Sequence, residues 1–151
     1  MMEQNKTIII GSQVWMKKNL NVDHYRDGTP IPEAETEAEW NKYSDNYQGC
    51  WCYYGHNESN GNKYGKLYNY FAVNDSIHGG LAPNGWRIPK QEDFDTLVMN
   101  LHEGSSYNHD DIYPSWSNHR RIVFKKNDWV IAGGILSSWG RFSSLDHHGY
   151  W

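Results

Sequence analysis

The sequence predicts an α+β domain of short strands, two short helices and long ordered loops. Aromatic rings supply much of its apolar mass: 15% of the 151 residues are Phe, Trp or Tyr, with 8 Trp and 11 Tyr. Each such ring buries roughly 150–250 Å², so a few rings replace many aliphatic side chains. A mean hydropathy of −0.86 therefore fits a packed, loop-rich chain and not a disordered one. Short apolar runs alternate with polar stretches rich in Gly, Pro and Asn, the pattern of brief strands joined by turns. One segment, Gln91 to Leu101, instead sets Phe94, Leu97, Val98 and Leu101 at spacings of three and four, a helical stripe. At 17.7 kDa the chain, residues 1–151, fits one domain with a core of its own.

Taken in order, Thr7–Met16 opens with a β-branched run, a turn at Gly11 and a second apolar run, and predicts a β-hairpin or two short strands. Asn19–Pro32 holds a turn at Asp27-Gly28 and two prolines that stop regular structure. Glu33–Tyr43, acidic at its start with Trp40 and Tyr43 three apart, predicts a helix with one aromatic edge inward. Gln48–Tyr54 predicts a buried strand, and Gly55–Lys63 a loop. Tyr64–Val73 reads as strand or irregular chain. Asn74–Asn84 is a loop ending in the turn Ala82-Pro83-Asn84-Gly85, and Trp86–Ile88 is a short strand. The helix 91–101 follows and stops at Gly104. Ser105–Asn118 is a long loop; Ile122–Phe124, Trp129–Ala132 and the chain from Gly133 onward predict short strands. Long ordered loops are usually functional.

Net charge is −4 with a pI near 6.0, and basic residues are scattered. Arg120-Arg121 with Lys125-Lys126 is the one basic cluster and reads as a solvated edge, so no nucleic-acid partner is expected. No apolar run approaches about 18 residues, so no membrane insertion is expected either. Residues 1–6 lack the apolar core of a signal peptide. Such a chain acts where it is made, is a mature fragment, or joins a larger particle such as a virion. Cys50 and Cys52 stand one residue apart; in a strand their Cα atoms lie roughly 7 Å apart, at the limit for a disulfide. Buried free thiols are expected.

Several of these stretches carry a resemblance. Ile10-Gly-Ser-Gln-Val-Trp-Met-Lys-Lys-Asn-Leu resembles the opening motif of the Fibrobacter succinogenes major paralogous domain, a family abundant in Bacteroidetes. Asp27-Gly-Thr-Pro-Ile-Pro, Cys52-Tyr-Tyr, Tyr64-Gly-Lys-Leu-Tyr-Asn-Tyr-Phe-Ala-Val and Leu81-Ala-Pro-Asn-Gly-Trp-Arg-Ile-Pro follow in that family's order. Gly133-Gly, Gly140-Arg-Phe and Gly149-Tyr-Trp resemble its C-terminal segment. The resemblance implies a C-type-lectin-like fold, related to formylglycine-generating enzymes and to the variable proteins of diversity-generating retroelements. It also implies a cell-surface, secreted or virion location. Two departures stand out. Val130-Ile-Ala-Gly-Gly replaces the usual Ala-Leu-Pro-Gly-Gly. The chain also stops at Trp151, where the family runs on through further strands, so the resemblance implies an edge completed by another segment or subunit.

The candidate binding surface is the segment 135–148, framed by Gly133, Gly134, Gly140 and Gly149. Leu136, Ser138, Trp139, Arg141, Asp146, His147 and His148 are its expected contacts, with Tyr113 and Trp116 further out. The segment resembles the place where variable lectin-like proteins present their diversified side chains. Aromatic and Arg side chains dominate binding hot spots because they bury large areas at modest entropic cost. The plainer alternative makes Trp139 and Phe142 core and the rest ordinary loop.

Other chemistries find less support. His102, His109, His119, His147 and His148 are dispersed, without zinc spacing. Asp110-Asp111 and Asn127-Asp128 follow no calcium-loop pattern. Formylglycine generation needs a reactive cysteine pair, and Cys50 and Cys52 sit within a core strand motif. Glu92 and Asp95 suit a solvated helix face, and no nucleophile elbow frames a serine. The expectation is a non-catalytic module, without metal or cofactor, that binds a protein or carbohydrate. The alternative is an assembly domain of a cell-surface or phage tail particle, its partners copies of itself or the other subunits of a larger assembly. A hydrolase or oxidase would need a metal or cofactor.

Overall fold

The computed structural model describes residues 6–101 together with 135–136 and 142–143. Strands β1 (Thr7–Ile10) and β2 (Gln13–Met16) form an antiparallel hairpin in which Ile10 faces Gln13. Its two-residue turn puts Gly11 at φ +59°, the left-handed region that a type II′ turn requires at its first central position. A Cβ there would also lie 2.5 Å from the Asn100 side chain. The hairpin thus sits directly on helix α4 (Gln91–Leu101), whose bounds coincide with the helical stripe. Trp15 packs on Phe94 with ring centroids 5.6 Å apart, and Gln13 Nε2 donates to the Asp93 carbonyl at 3.0 Å. Leu97, on the stripe, is buried.

Residues 23–31 fold back on themselves around Asp27-Gly28, as expected, with Ile31 N–H donating to the Asp23 carbonyl. Residues 32–34 do not begin a helix. Ala34 N–H donates to Trp51 O and Trp51 N–H to Pro32 O, so this stretch runs beside strand β3 (Trp51–Cys52) as a parallel bridge. Helix α1 starts only at Glu37 and ends at Asp45. Thr36 caps it by accepting from Glu39 N–H, and the Glu39 carboxylate reaches back to Glu35 N–H, a variant of the capping box. The predicted strand 48–54 contracts to the two residues of β3, although Cys50 to Cys52 are all buried.

The predicted loop 55–63 instead holds two single 3-10 turns, Tyr54–His56 and Glu58–Asn60, and a one-turn helix α2 (Gly61–Tyr64). Asn57 nucleates the second turn by accepting from Ser59 N–H and Ser59 Oγ. After Gly65 come β4 (Leu67–Tyr68), antiparallel to β3, and a one-turn helix α3 (Tyr70–Val73). Gly65 takes φ +70°, and a Cβ would stand 2.6 Å from the Leu20 carbonyl oxygen. Trp86–Ile88, predicted as a strand, forms none. Its backbone is satisfied elsewhere: Trp86 N–H closes a turn on Pro83 O, and Trp86 O accepts from Arg26 Nη2 at 2.9 Å.

Two buried clusters flank β3, because successive strand side chains point to opposite faces. Trp51 joins Tyr25, Ile31, Ala72 and Leu81 on one side; Cys50 and Cys52 join Ala34 and Trp40 on the other. The cysteines are free, as expected. Further along, β5 (Ile135–Leu136) pairs antiparallel with β6 (Phe142–Ser143). The described residues thus form a mixed α/β architecture of two-stranded antiparallel sheets. The remaining C-terminal expectations, including the loop 105–118 and the strands at 122–124 and 129–132, lie outside the described residues.

Candidate functional site

Irregular segments are locked here by side chains that bond to backbone. Asn69, buried in an aromatic run, accepts from Cys50 N–H and Ala72 N–H, each at 3.0 Å, and donates to Gln48 O at 2.7 Å. One amide therefore ties the chain entering β3 to α3. Tyr68 Oη accepts from Val22 N–H and donates to Val22 O, both at 2.7 Å. Burial raises its phenol pKa well above the ordinary range. Arg26 donates through Nε to Ala82 O and through Nη2 to Trp86 O, pinning the 74–88 chain against the 23–31 turn. Asp75 then closes the far loop, accepting from His78 Nδ1, His78 N–H and Gly80 N–H. Burial pushes its carboxyl up, but these donors outweigh it and leave the pKa lowered. His78 in turn stacks on Tyr25 at 4.8 Å.

Two recesses open on this frame. One of about 400 Å³ is lined by residues 21–26, Leu81, Pro83 and Asn84. Its lining mixes apolar and polar side chains and includes Asp23, held below the ordinary carboxylate range by His24. The second, of about 370 Å³, is lined by Glu33, Glu35, Tyr53, His56 and Glu58. Desolvation, then the neighbouring Glu35, raises the Glu33 carboxyl. His56 Nδ1–H donates to Ala34 O at 3.0 Å. Among the described residues no group of three or more His, Cys, Asp or Glu is arranged to hold a metal ion. Burial pushes both Cys50 and Cys52 thiols up to about 12, so they are neutral thiols at pH 7.

A third surface is aromatic. Helix α1 ends in a Schellman arrangement: Tyr47 N–H bonds to Ser44 O and Gln48 N–H to Tyr43 O. The left-handed position of that motif ordinarily belongs to glycine, yet here Tyr47 occupies it at φ +57°. A non-glycine residue there is disfavoured by roughly 1–2 kcal/mol. Tyr47 is nevertheless 80% exposed, so its ring does not offset that strain by burial. It meets Phe71 edge to face at 5.5 Å, and Tyr70, 71% exposed, meets Phe71 likewise at 5.5 Å. The sequence signal was available: the helix ends in Asp45-Asn-Tyr-Gln, with no glycine where one is usual.

Of the expected contacts, Leu136 lies in β5, opposite Phe142. Ser138, Trp139 and Arg141 belong to the stretch joining β5 to β6 and lie outside the described residues. Asp146, His147, His148, Tyr113 and Trp116 also lie outside them.

Among the described residues, fold and surfaces together define a mixed α/β architecture whose irregular segments between residues 22 and 86 are fixed by its own side chains. The chain belongs to the Fibrobacter succinogenes major domain family, whose pattern matches residues 8–138. The match includes all of the hairpin but Thr7, the Asn69 knot and β5; Tyr113, Trp116, Leu136 and Ser138 fall within it, and Trp139 to His148 beyond it. No curated protein and no solved structure matches the chain. Among the described residues no helix is long and apolar enough to cross a membrane.

Proposed function

We propose that the protein is a non-catalytic binding module with a C-type-lectin-like frame, recognising a protein or carbohydrate at a cell surface, in a secreted form or on a virion. In this reading the segment 135–148 offers Leu136, Ser138, Trp139, Arg141, Asp146, His147 and His148 to the ligand, flanked by Tyr113 and Trp116. The single observation that carries the reading is the locking of irregular chain by Asn69, Tyr68 and Arg26. A frame fixed by hydrogen bonds lets surface loops bind with little loss of chain freedom, which is what preorganisation supplies. Buried, neutral thiols and loops held by structural bonds favour recognition over chemistry.

The test is binding of the purified full chain to arrayed glycans and to candidate surface proteins, with Trp139→Ala and Arg141→Ala as variants. Each is expected to weaken binding about thirtyfold, the scale of a hot-spot residue, with the melting temperature unchanged. Variants that bind like the parent would sink the C-terminal assignment.

One observation favours the second reading, an assembly domain. Ile9 and Val14 face each other across the hairpin and are 74% and 53% exposed. Paired apolar side chains on an open two-stranded ribbon suit a subunit contact. Size-exclusion with light scattering separates the two: a stable oligomer dissolved by Ile9→Lys supports assembly, and a monomer removes it.

A further inference from the structure

We propose that Tyr47, Phe71 and Tyr70 form a stacking platform for a neutral polysaccharide, at residues distinct from the C-terminal contacts. The inference goes beyond the binding reading above and does not depend on it.

Four features lead there. The first is the cost accepted at Tyr47: a bulky ring held at φ +57°, in the place of a glycine, and turned out to solvent. Backbone strain retained with little burial of the ring, one edge contact to Phe71 apart, is a mark of a functional position. The second is order. Phe71 meets both tyrosines edge to face, with interplanar angles of 80° and 87°, so each exposed ring has a packing partner that favours one orientation. A ring oriented before binding loses less rotamer freedom when a ligand covers it. Neither phenol oxygen has a hydrogen-bond partner among the described residues.

The third feature is the polar border. Asn46 follows α1 and Asn74 follows α3; both are exposed, and each donates its Nδ2 back to a helix carbonyl, Lys42 O at 2.7 Å and Tyr70 O at 3.0 Å. One N–H of each amide is thereby engaged, which orients the group and leaves its Oδ1 to accept from, and its second N–H to donate to, an outside hydroxyl. A pyranose answers both halves of this surface. Its C–H face is weakly positive and packs on the negative face of an aromatic ring, while its hydroxyls donate around the edge.

The fourth is size and charge. Two rings and a half-buried third offer on the order of 300–500 Å². A stable protein interface needs about 800 Å² from each partner, so a second protein is a poor occupant and one or two sugar units a good one. The net charge of −4 disfavours an acidic glycan.

Native affinity electrophoresis tests this with the full chain in gels containing xyloglucan, laminarin, mannan or soluble starch. Retardation in at least one gel is expected, with the apparent dissociation constant raised tenfold or more by Tyr47→Gly and by Tyr70→Ser. Tyr47→Gly is the informative variant: glycine relieves the left-handed strain, so its melting temperature is expected to match or exceed the parent's while binding is lost. Trp139→Ala should still be retarded, which keeps this site separate from the C-terminal one. No retardation in any gel, or a Tyr47→Gly chain retarded like the parent, overturns the proposal. So does loss of binding in Trp139→Ala alone. A dimer seen by light scattering that Tyr47→Gly dissociates also overturns it, by making the rings a subunit contact.

Discussion

Asn69 illustrates how much a single side chain can carry in this protein. Its amide satisfies the N–H groups of Cys50 and Ala72 and the carbonyl of Gln48, none of which has a ladder partner at that point. Asn69→Ala leaves the buried Cys50 and Ala72 N–H groups without a partner, and a buried unsatisfied group costs about 1–3 kcal/mol. The expected loss is about 3 kcal/mol, read from the urea midpoint. The sequence concealed this role, because a polar residue within an aromatic run is ordinarily expected to face water. The cysteines were legible, since alternation along a strand puts positions 50 and 52 on one face. Their pKa values near 12 stand above the ordinary 9.0 of a free thiol, which fixes the sign of a pH effect. Stability from keeping them neutral is complete below pH 9, where both states hold the proton. It is lost as pH rises from 9 through 12, because the unfolded thiols ionise first. An alkylating reagent is accordingly expected to leave both untouched at pH 7 and to modify both in denaturant, with mass spectrometry as the readout.

Elements were read well where the apolar period is long and poorly where tertiary bonds decide. Helix α4 has eleven residues and a clear stripe, and its bounds matched. Trp86–Ile88 has strand-like residues, but Arg26 claims the carbonyl a ladder would need. Helix α1 begins late because residues 32–34 pair with β3, a contact that nothing local announces. The start of α4 offers its own prediction. Asp93 accepts from Arg87 Nη2 at 2.6 Å and from Lys90 N–H at 2.7 Å, and Arg87 first, then that N–H, holds its carboxyl down at about 2. Relative to 3.8 in an unfolded chain, this stabilisation is complete above pH 4 and disappears as pH falls through 2. Near-UV circular dichroism of the Trp15–Phe94 contact is expected to weaken over that interval. Asp93→Ala removes a capping acceptor and is expected to lower stability by about 1 kcal/mol. Arg87→Ala, at an exposed position, should do less. A urea titration of both variants checks the order.

For the molecule as a whole, β3 matters most because both buried clusters lean on it. Trp51 serves one cluster, donates to Ile31 O at 2.8 Å, and lies beneath Lys66 Nζ at 4.2 Å. Trp51→Ala is expected to cost about 3–5 kcal/mol, and the clusters should melt together, seen as coincident transitions by fluorescence and far-UV circular dichroism. The candidate site was less legible than the fold. Glycines and mixed side chains mark the C-terminal segment in the sequence itself, while the exposed rings near Tyr47 come from residues 47 and 70–71, which only the folded chain brings together. Arg26 and Gln13 were likewise unremarkable until their carbonyl partners were known. These locks span long stretches of chain: Gln13 to Asp93 is 80 positions, Arg26 to Trp86 is 60, and Val22 to Tyr68 is 46. Each must close a large loop before it gains anything, so refolding belongs to the slow class, on the millisecond-to-second scale. During synthesis the hairpin emerges well before helix α4, and its Trp15 waits uncovered until Phe94 has left the ribosome.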